Sequence, residues 1–281
     1  MTVDAAVTVA TAVTLDEAST VAEAVPVDEA VGLDESVPAH AGFPALAPGL
    51  VHRWGGAFLV VARRSGLPGS VPSPRLSPAE RCVAEALPAW RRAEWTAGRL
   101  LAKQLVAGYA GAAADAVEVL PRADGSPYAL LGGRPLPAVH LSLSHTAHQV
   151  AAALAPGPVG VDLCETVAAD SVRRIGDHAF SPAELSLIGN GPPEGPAAAW
   201  ALKEAAVKAD RTGVFGAAPR RVALLGLHPP RLGGGRRAAA WHSAGADAAG
   251  GDAGGSAARA AAGTAPAPGD AVLALVLAPV R

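Results

Sequence analysis

The sequence is expected to fold as an α+β protein of two similar subdomains related by a pseudo-two-fold axis. Three observations predict this. Ser77-Pro78-Ala79-Glu80 returns as Ser181-Pro182-Ala183-Glu184, an offset of 104. Trp95 with Lys103 eight residues on returns as Trp200 with Lys208, an offset of 105. Short apolar, strand-like runs flank both helical sections. Units of about a hundred residues are of ordinary domain size. The expected division is a disordered acidic leader over 1–48, an N-terminal α+β subdomain over 49–156 and a C-terminal one over 157–281. In this alignment Arg99 stands where Glu204 stands in the second half.

The leader is Ala, Val, Thr, Pro and acid, a solvated composition. Ordered structure is expected near Trp54, with Ala57–Ala62 as a first strand. Ser77 and Glu80 form a capping box with Pro78 at the first helical position. A second helix is expected over Ala89–Gly108. Strands follow at Val117–Leu120, Ala138–Ser144, Val150–Ala155 and Val159–Leu163, with a turn at Asp124-Gly125-Ser126-Pro127. The second capping box precedes a helix over Pro196–Arg211. Val222–Leu227, Ala238–His242 and Ala271–Val280 read as closing strands. The Gly/Ala-rich stretch 243–269 between the last two reads as a mobile insertion.

Half of the 281 residues are hydrophobic, enough for one large domain or two small ones. Cys82 and Cys164 offer neither a disulfide framework nor metal-ligand spacing, and no signal-peptide pattern opens the sequence, so a cytoplasmic location is expected. The longest apolar run, Ala271–Val280, is too short to span a bilayer. Residues 1–52 hold eight acids and no Lys or Arg; subtracting those eight from 25 acids leaves 17 against 23 basic residues. A body near +6 suits an anionic ligand or an acidic partner protein. No basic-aromatic interleaving points to nucleic acid.

The chemistry concentrates in three blocks: Leu141-Ser142-Leu143-Ser144-His145, Gly160-Val161-Asp162, and Trp200-Ala201-Leu202-Lys203-Glu204-Ala205-Ala206-Val207-Lys208. At helical spacing Trp200, Glu204 and Lys208 line one face. Alone, that is an ordinary surface helix with a Glu–Lys pair. Together, a strand carboxylate, a helix carboxylate, an ammonium and a Ser-His pair can hold a magnesium ion and a diphosphate. No G-x-x-x-x-G-K-[ST] loop is present.

In order and spacing these blocks resemble the 4′-phosphopantetheinyl transferases, specifically the two-subdomain surfactin type. The resemblance covers roughly 90–210 by motif and 50–281 by layout. It implies that fold, and transfer of the phosphopantetheine arm of coenzyme A to a serine of an apo acyl or peptidyl carrier protein, with release of adenosine 3′,5′-bisphosphate. The Ala-Gly-Pro-rich composition suggests a GC-rich bacterium, and by that association polyketide or nonribosomal peptide carriers are the expected clients. Mg²⁺ would be held by Asp162 and Glu204. Glu204 and Lys208 would be catalytic, Glu204 assisting deprotonation of the serine and Lys208 contacting the phosphates and leaving group. Ser144 and His145 would bind coenzyme A phosphate, a contact that protonation of His145 would strengthen, with Arg92 and Arg99 as further coenzyme A contacts; Lys203 receives no role. The expected partners are coenzyme A and the carrier protein, with no nucleic acid and no membrane, and the protein is expected to be a monomer.

Two departures stand out. Ser126 replaces the phosphate-contacting lysine of many relatives. The usual second acid of the strand motif is Cys164 here, and Glu165 comes one residue late. Strand alternation points Glu165 to the other face; either a bulge re-aims it or the metal is held by Asp162, Glu204 and water, and the second is the expectation. The alternative functions are a non-catalytic carrier-binding protein of the same fold and another Mg²⁺-dependent phosphotransfer enzyme.

Overall fold

The computed structural model describes residues 30–33, 43–67, 75–191, 194–212, 218–245 and 269–280. Two sheets carry the fold. The first runs in the order β1 (Val31–Gly32), β3 (Val51–Trp54), β4 (Ala57–Arg63), β9 (Gln149–Ala155), β8 (His140–His145). The second runs β10 (Val159–Glu165), β14 (Ala271–Leu277), β13 (Arg237–Ser243), β2 (Ala45–Leu46). Smaller sheets are β5 (Val117–Pro121) with β6 (Pro127–Leu131) and β7 (Arg134–Pro135), and β11 (Leu224–Leu227) with β12 (Pro230–Leu232). The described helices are α1 (Pro78–Glu85), α2 (Ala89–Ala110), α3 (Ala169–Arg174), α4 (Gly176–Ala179), α5 (Pro182–Gly189) and α6 (Gly195–Asp210).

The main strands are apolar on both faces because both faces are covered. On β9, Val150, Ala152 and Leu154 face α2, while Ala151, Ala153 and Ala155 face the second sheet. On β14, Val272, Ala274 and Val276 face α6, while Ala271, Leu273 and Leu275 face the first sheet. The layers are therefore helix, sheet, sheet, helix. Alanine has a packing role here: Ala197, Ala198, Ala201, Ala205 and Ala206 of α6 are wholly buried, and their small side chains let the helix lie close on β10 and β14.

Each half repeats one buried contact. Glu80 closes the capping box of α1, accepts from Lys103 Nζ at 2.9 Å and from Val119 N at 2.7 Å. Glu184 does the same for α5, accepting from Lys203 Nζ at 2.9 Å and Leu224 N at 2.7 Å. Lys103 also donates to Arg75 O, and Lys203 to Ala179 O, each two residues before the capping serine. This pairs Lys103 with Lys203 rather than with Lys208. The sequence alignment of the halves needs correction there: Gln104, not Arg99, stands in the place of Glu204. The reason is a length difference, since the capping glutamate and its lysine are 23 residues apart in the first half and 19 in the second.

The expected leader also needs correction. Within 1–48, β1 pairs in parallel with β3, β2 pairs in parallel with β13, and Phe43 and Leu46 are buried. These strands are too short to show a periodicity. Of the expected insertion over 243–269, Ser243 ends β13, and 246–268 lie outside the described residues.

Candidate active site

The site forms where β8, an edge strand of the first sheet, meets β10, an edge strand of the second. Two serines stitch this seam. Ser142 Oγ accepts from Val161 N at 3.0 Å, and Ser144 Oγ accepts from Leu163 N at 3.1 Å. Ser144 Oγ also donates to Asp162 Oδ1 at 2.8 Å. The alternation Ser-Leu-Ser puts both hydroxyls on one face of β8. Ser142 was not singled out from the sequence; the spacing was its only signal.

Gly160 brings α6 onto the seam. A Cβ there would lie 1.8 Å from Ala205 O and 2.7 Å from Ala209 N, so the helix backbone rests directly on the strand. Asp162, two residues on and on the same face, then meets the α6 side chains. Lys208 Nζ donates to Asp162 Oδ1 at 2.6 Å, and to Val161 O and Leu143 O at 3.1 and 3.2 Å. Burial and the Asp162 charge push the Glu204 carboxyl up to about 7, against the opposing pull of Lys208. Asp162, Glu204 and Lys208 are thus brought together.

Cys164 shares their face. Burial, then the charges of Asp162, Glu204 and Glu165, push its thiol up to about 12, so it remains protonated. The pairing of β10 with β14 is unbroken from Val159 to Glu165, without a bulge. Glu165 instead accepts from His148 Nδ1 at 2.9 Å. Burial would raise its carboxyl, but hydrogen bonds from His148 and Thr146 hold it below the ordinary range.

His145, at the end of β8, meets α2. Its Nε2 lies 3.0 Å from Glu94 Oε2 and contacts Arg91 Nη1. Burial and Arg91 lower its pKa more than Glu94 raises it, which favours the neutral imidazole in the free protein. Arg92 turns away: its guanidinium donates to Ala84, Glu85 and Leu87 carbonyls at the end of α1. Arg91, not singled out from the sequence, stands at the seam beside His145 and Glu94. Arg99 is buried, with its guanidinium over the Trp95 ring at 4.4 Å. Burial, partly offset by Glu80 and reinforced by Arg91, pulls it down to about 10.

Among the described residues no cluster of three or more His, Cys, Asp or Glu has metal-holding geometry. A cavity of about 410 Å³ lies elsewhere, at the β3–β4 turn, lined by Arg53, Trp54, Gly55, Gly56 and Arg237 among others; none of the site residues lines it. No described helix is long and apolar enough to cross a membrane.

No curated protein matches the chain. Residues 158–249, which hold Gly160, Asp162, Glu204 and Lys208, match the family model of the 4′-phosphopantetheinyl transferase superfamily, a likeness that covers less than half of the chain.

Proposed function

We propose that the protein transfers the 4′-phosphopantetheine arm of coenzyme A to a serine of an apo acyl or peptidyl carrier protein and releases adenosine 3′,5′-bisphosphate. The fold would be the surfactin type, two halves related by an approximate two-fold; the repeated Glu80–Lys103 and Glu184–Lys203 contacts support it. The observation that carries the functional reading is the convergence of Asp162, Glu204 and Lys208 inside the matched segment.

The donor set fits Mg²⁺. Asp162 and Glu204 are hard oxygen donors whose mutual repulsion a cation relieves, and Mg²⁺ keeps several waters or phosphate oxygens beside a few carboxylates. When bound, the ion would offset charge on the coenzyme A diphosphate and polarise the attacked phosphorus. The remaining chemistry falls to the chain. Ser144 fixes Asp162 through its hydroxyl. Glu204, held ionised by the cation, would take the proton of the carrier serine, directly or through a water. Lys208, one turn on, supplies positive charge to the phosphate oxygen that leaves. His145 and Arg91 bind coenzyme A phosphate from the α2 side. Arg99 lies deeper on α2 and adds charge behind Arg91. Arg92 serves by fixing the end of α1, which holds this face of α2.

Incubation with apo carrier proteins, coenzyme A and Mg²⁺, followed by weighing of the carriers, tests the reading. The expected result is a carrier heavier by one phosphopantetheine. Tight binding of coenzyme A and carrier without any mass gain would point to the non-catalytic alternative.

A further inference from the structure

Nε2 of His145 faces two partners of opposite kind. Glu94 Oε2, at 3.0 Å, only accepts a hydrogen bond; Arg91 Nη1, also in contact, only donates. One ring nitrogen cannot serve both. With Nε2 bare the ring is neutral, keeps its proton on Nδ1 and accepts from Arg91. With Nε2 protonated, it donates to Glu94, and Arg91 gives up the ring while its Nη1 keeps Glu94 Oε2 at 3.4 Å. The surroundings hold the first state in the free protein: burial, Arg91 on α2 and Lys208 on α6 oppose the imidazolium, and Glu94 alone favours it. Glu94 itself is steadied by two arginines, Arg91 at 3.4 Å on Oε2 and Arg64 at 3.5 Å on Oε1; Arg64 Nη1 also donates to Thr146 O and Ala147 O.

A carboxylate beside a phosphate site weakens binding by repulsion unless it serves another purpose. We propose that Glu94 is a positioning residue that makes phosphate binding draw one proton from solvent. The incoming phosphate takes Arg91 away from Nε2. The freed nitrogen takes a proton from water and donates it to Glu94, while Nδ1–H donates to the phosphate. No bond of the ligand changes. The phosphate gains two charged donors, Arg91 and the imidazolium, in place of one. This rests on the reading of His145 as a coenzyme A phosphate ligand.

The test is calorimetric titration of coenzyme A into the full chain, near neutral pH, in buffers of different ionisation enthalpy. The wild type is expected to take up a large fraction of one proton on binding. Glu94→Gln should lose most of that uptake and bind coenzyme A roughly tenfold more weakly, with kcat kept within a few-fold and partial rescue by Glu94→Asp. Absence of proton uptake by the wild type would overturn the proposal whatever the variants do. So would Glu94→Gln binding as tightly as, or more tightly than, the wild type, because Glu94 would then act by charge alone. His145→Ala with unchanged affinity would overturn both the phosphate reading and this inference. His145→Ala with weakened affinity, alongside full uptake in Glu94→Gln, would overturn this inference alone.

Discussion

Lys208 Nζ lies 2.6 Å from Asp162 Oδ1, and its other two N–H groups go to the Val161 and Leu143 carbonyls. An ammonium has three donors, and all three are taken. The lysine therefore closes the seam between the two sheets, and a phosphate that recruits it must release at least one of these contacts. Lys208→Met is expected to cost about 1–3 kcal/mol of stability, because it strands two carbonyls and leaves Asp162 Oδ1 with the Ser144 hydroxyl alone. It should also lower kcat steeply. Urea unfolding and carrier turnover measure the two effects. A variant as stable as the wild type would mean that Ser142 and Ser144 hold the seam without it.

Gly160 sets the distance between α6 and β10. With a Cβ placed 1.8 Å from a helix carbonyl oxygen, the helix must lift or tilt. Gly160→Ala is expected to destabilise by more than about 3 kcal/mol, beyond ordinary overpacking because the obstacle is backbone. Any folded fraction should have lost most of its turnover, since Glu204 and Lys208 ride on the displaced helix. Thermal unfolding close to that of the wild type would show that the approach is not required.

The sequence was most legible where chemistry and spacing coincide. Asp162, Glu204 and Lys208 stand together because strand alternation and the helical turn bring them to facing surfaces. Arg91 and Arg92 could not be told apart in that way. Neighbours on a helix differ by about 100°, and the carbonyl-rich end of α1 that takes Arg92 belongs to tertiary packing. The same holds for Ser142, whose partner strand lies in the other sheet. Lys203 carries no signal until Glu184 is found buried beneath it. The repeated tryptophans suggested the wrong lysine equivalence, because the halves differ in length between the capping helix and the long helix that follows.

Glu204 gives the metal-free protein a pH trend. Its ordinary value is 4.5, and in the fold it is pushed up to about 7 by burial and by Asp162. Below 4.5 the group is protonated whether the chain is folded or not, and contributes nothing to the pH dependence. Between 4.5 and about 7 the unfolded chain has lost the proton while the folded one keeps it, so stability falls as pH rises. Above that window the penalty is complete. Mg²⁺ bound to the carboxylate should remove it. The rise in Tm on adding Mg²⁺ is therefore expected to grow from about pH 5 to about pH 8, and Glu204→Gln should flatten that growth. A rise independent of pH would place the ion away from Glu204.

Glu165 and Cys164 test the metal assignment itself. The unbroken register of β10 keeps Asp162 and Cys164 on the α6 face and sends Glu165 to His148. A protonated thiol is a poor partner for a hard cation that takes oxygen. Asp162→Ala should therefore abolish turnover at ordinary Mg²⁺, while Glu165→Ala should keep a substantial share of it. The pair lost in Glu165→Ala involves a half-exposed His148, so its stability cost should stay within about 1 kcal/mol. Cys164→Glu adds an oxygen donor on the face of Asp162 and Glu204 and should lower the Mg²⁺ concentration needed for half-maximal turnover. The replacement is larger than the thiol and sits in the α6 core, so Tm must be followed alongside activity. If Glu165→Ala is folded yet as inactive as Asp162→Ala, the late acid reaches the metal after all, and β10 must bulge when the ion binds.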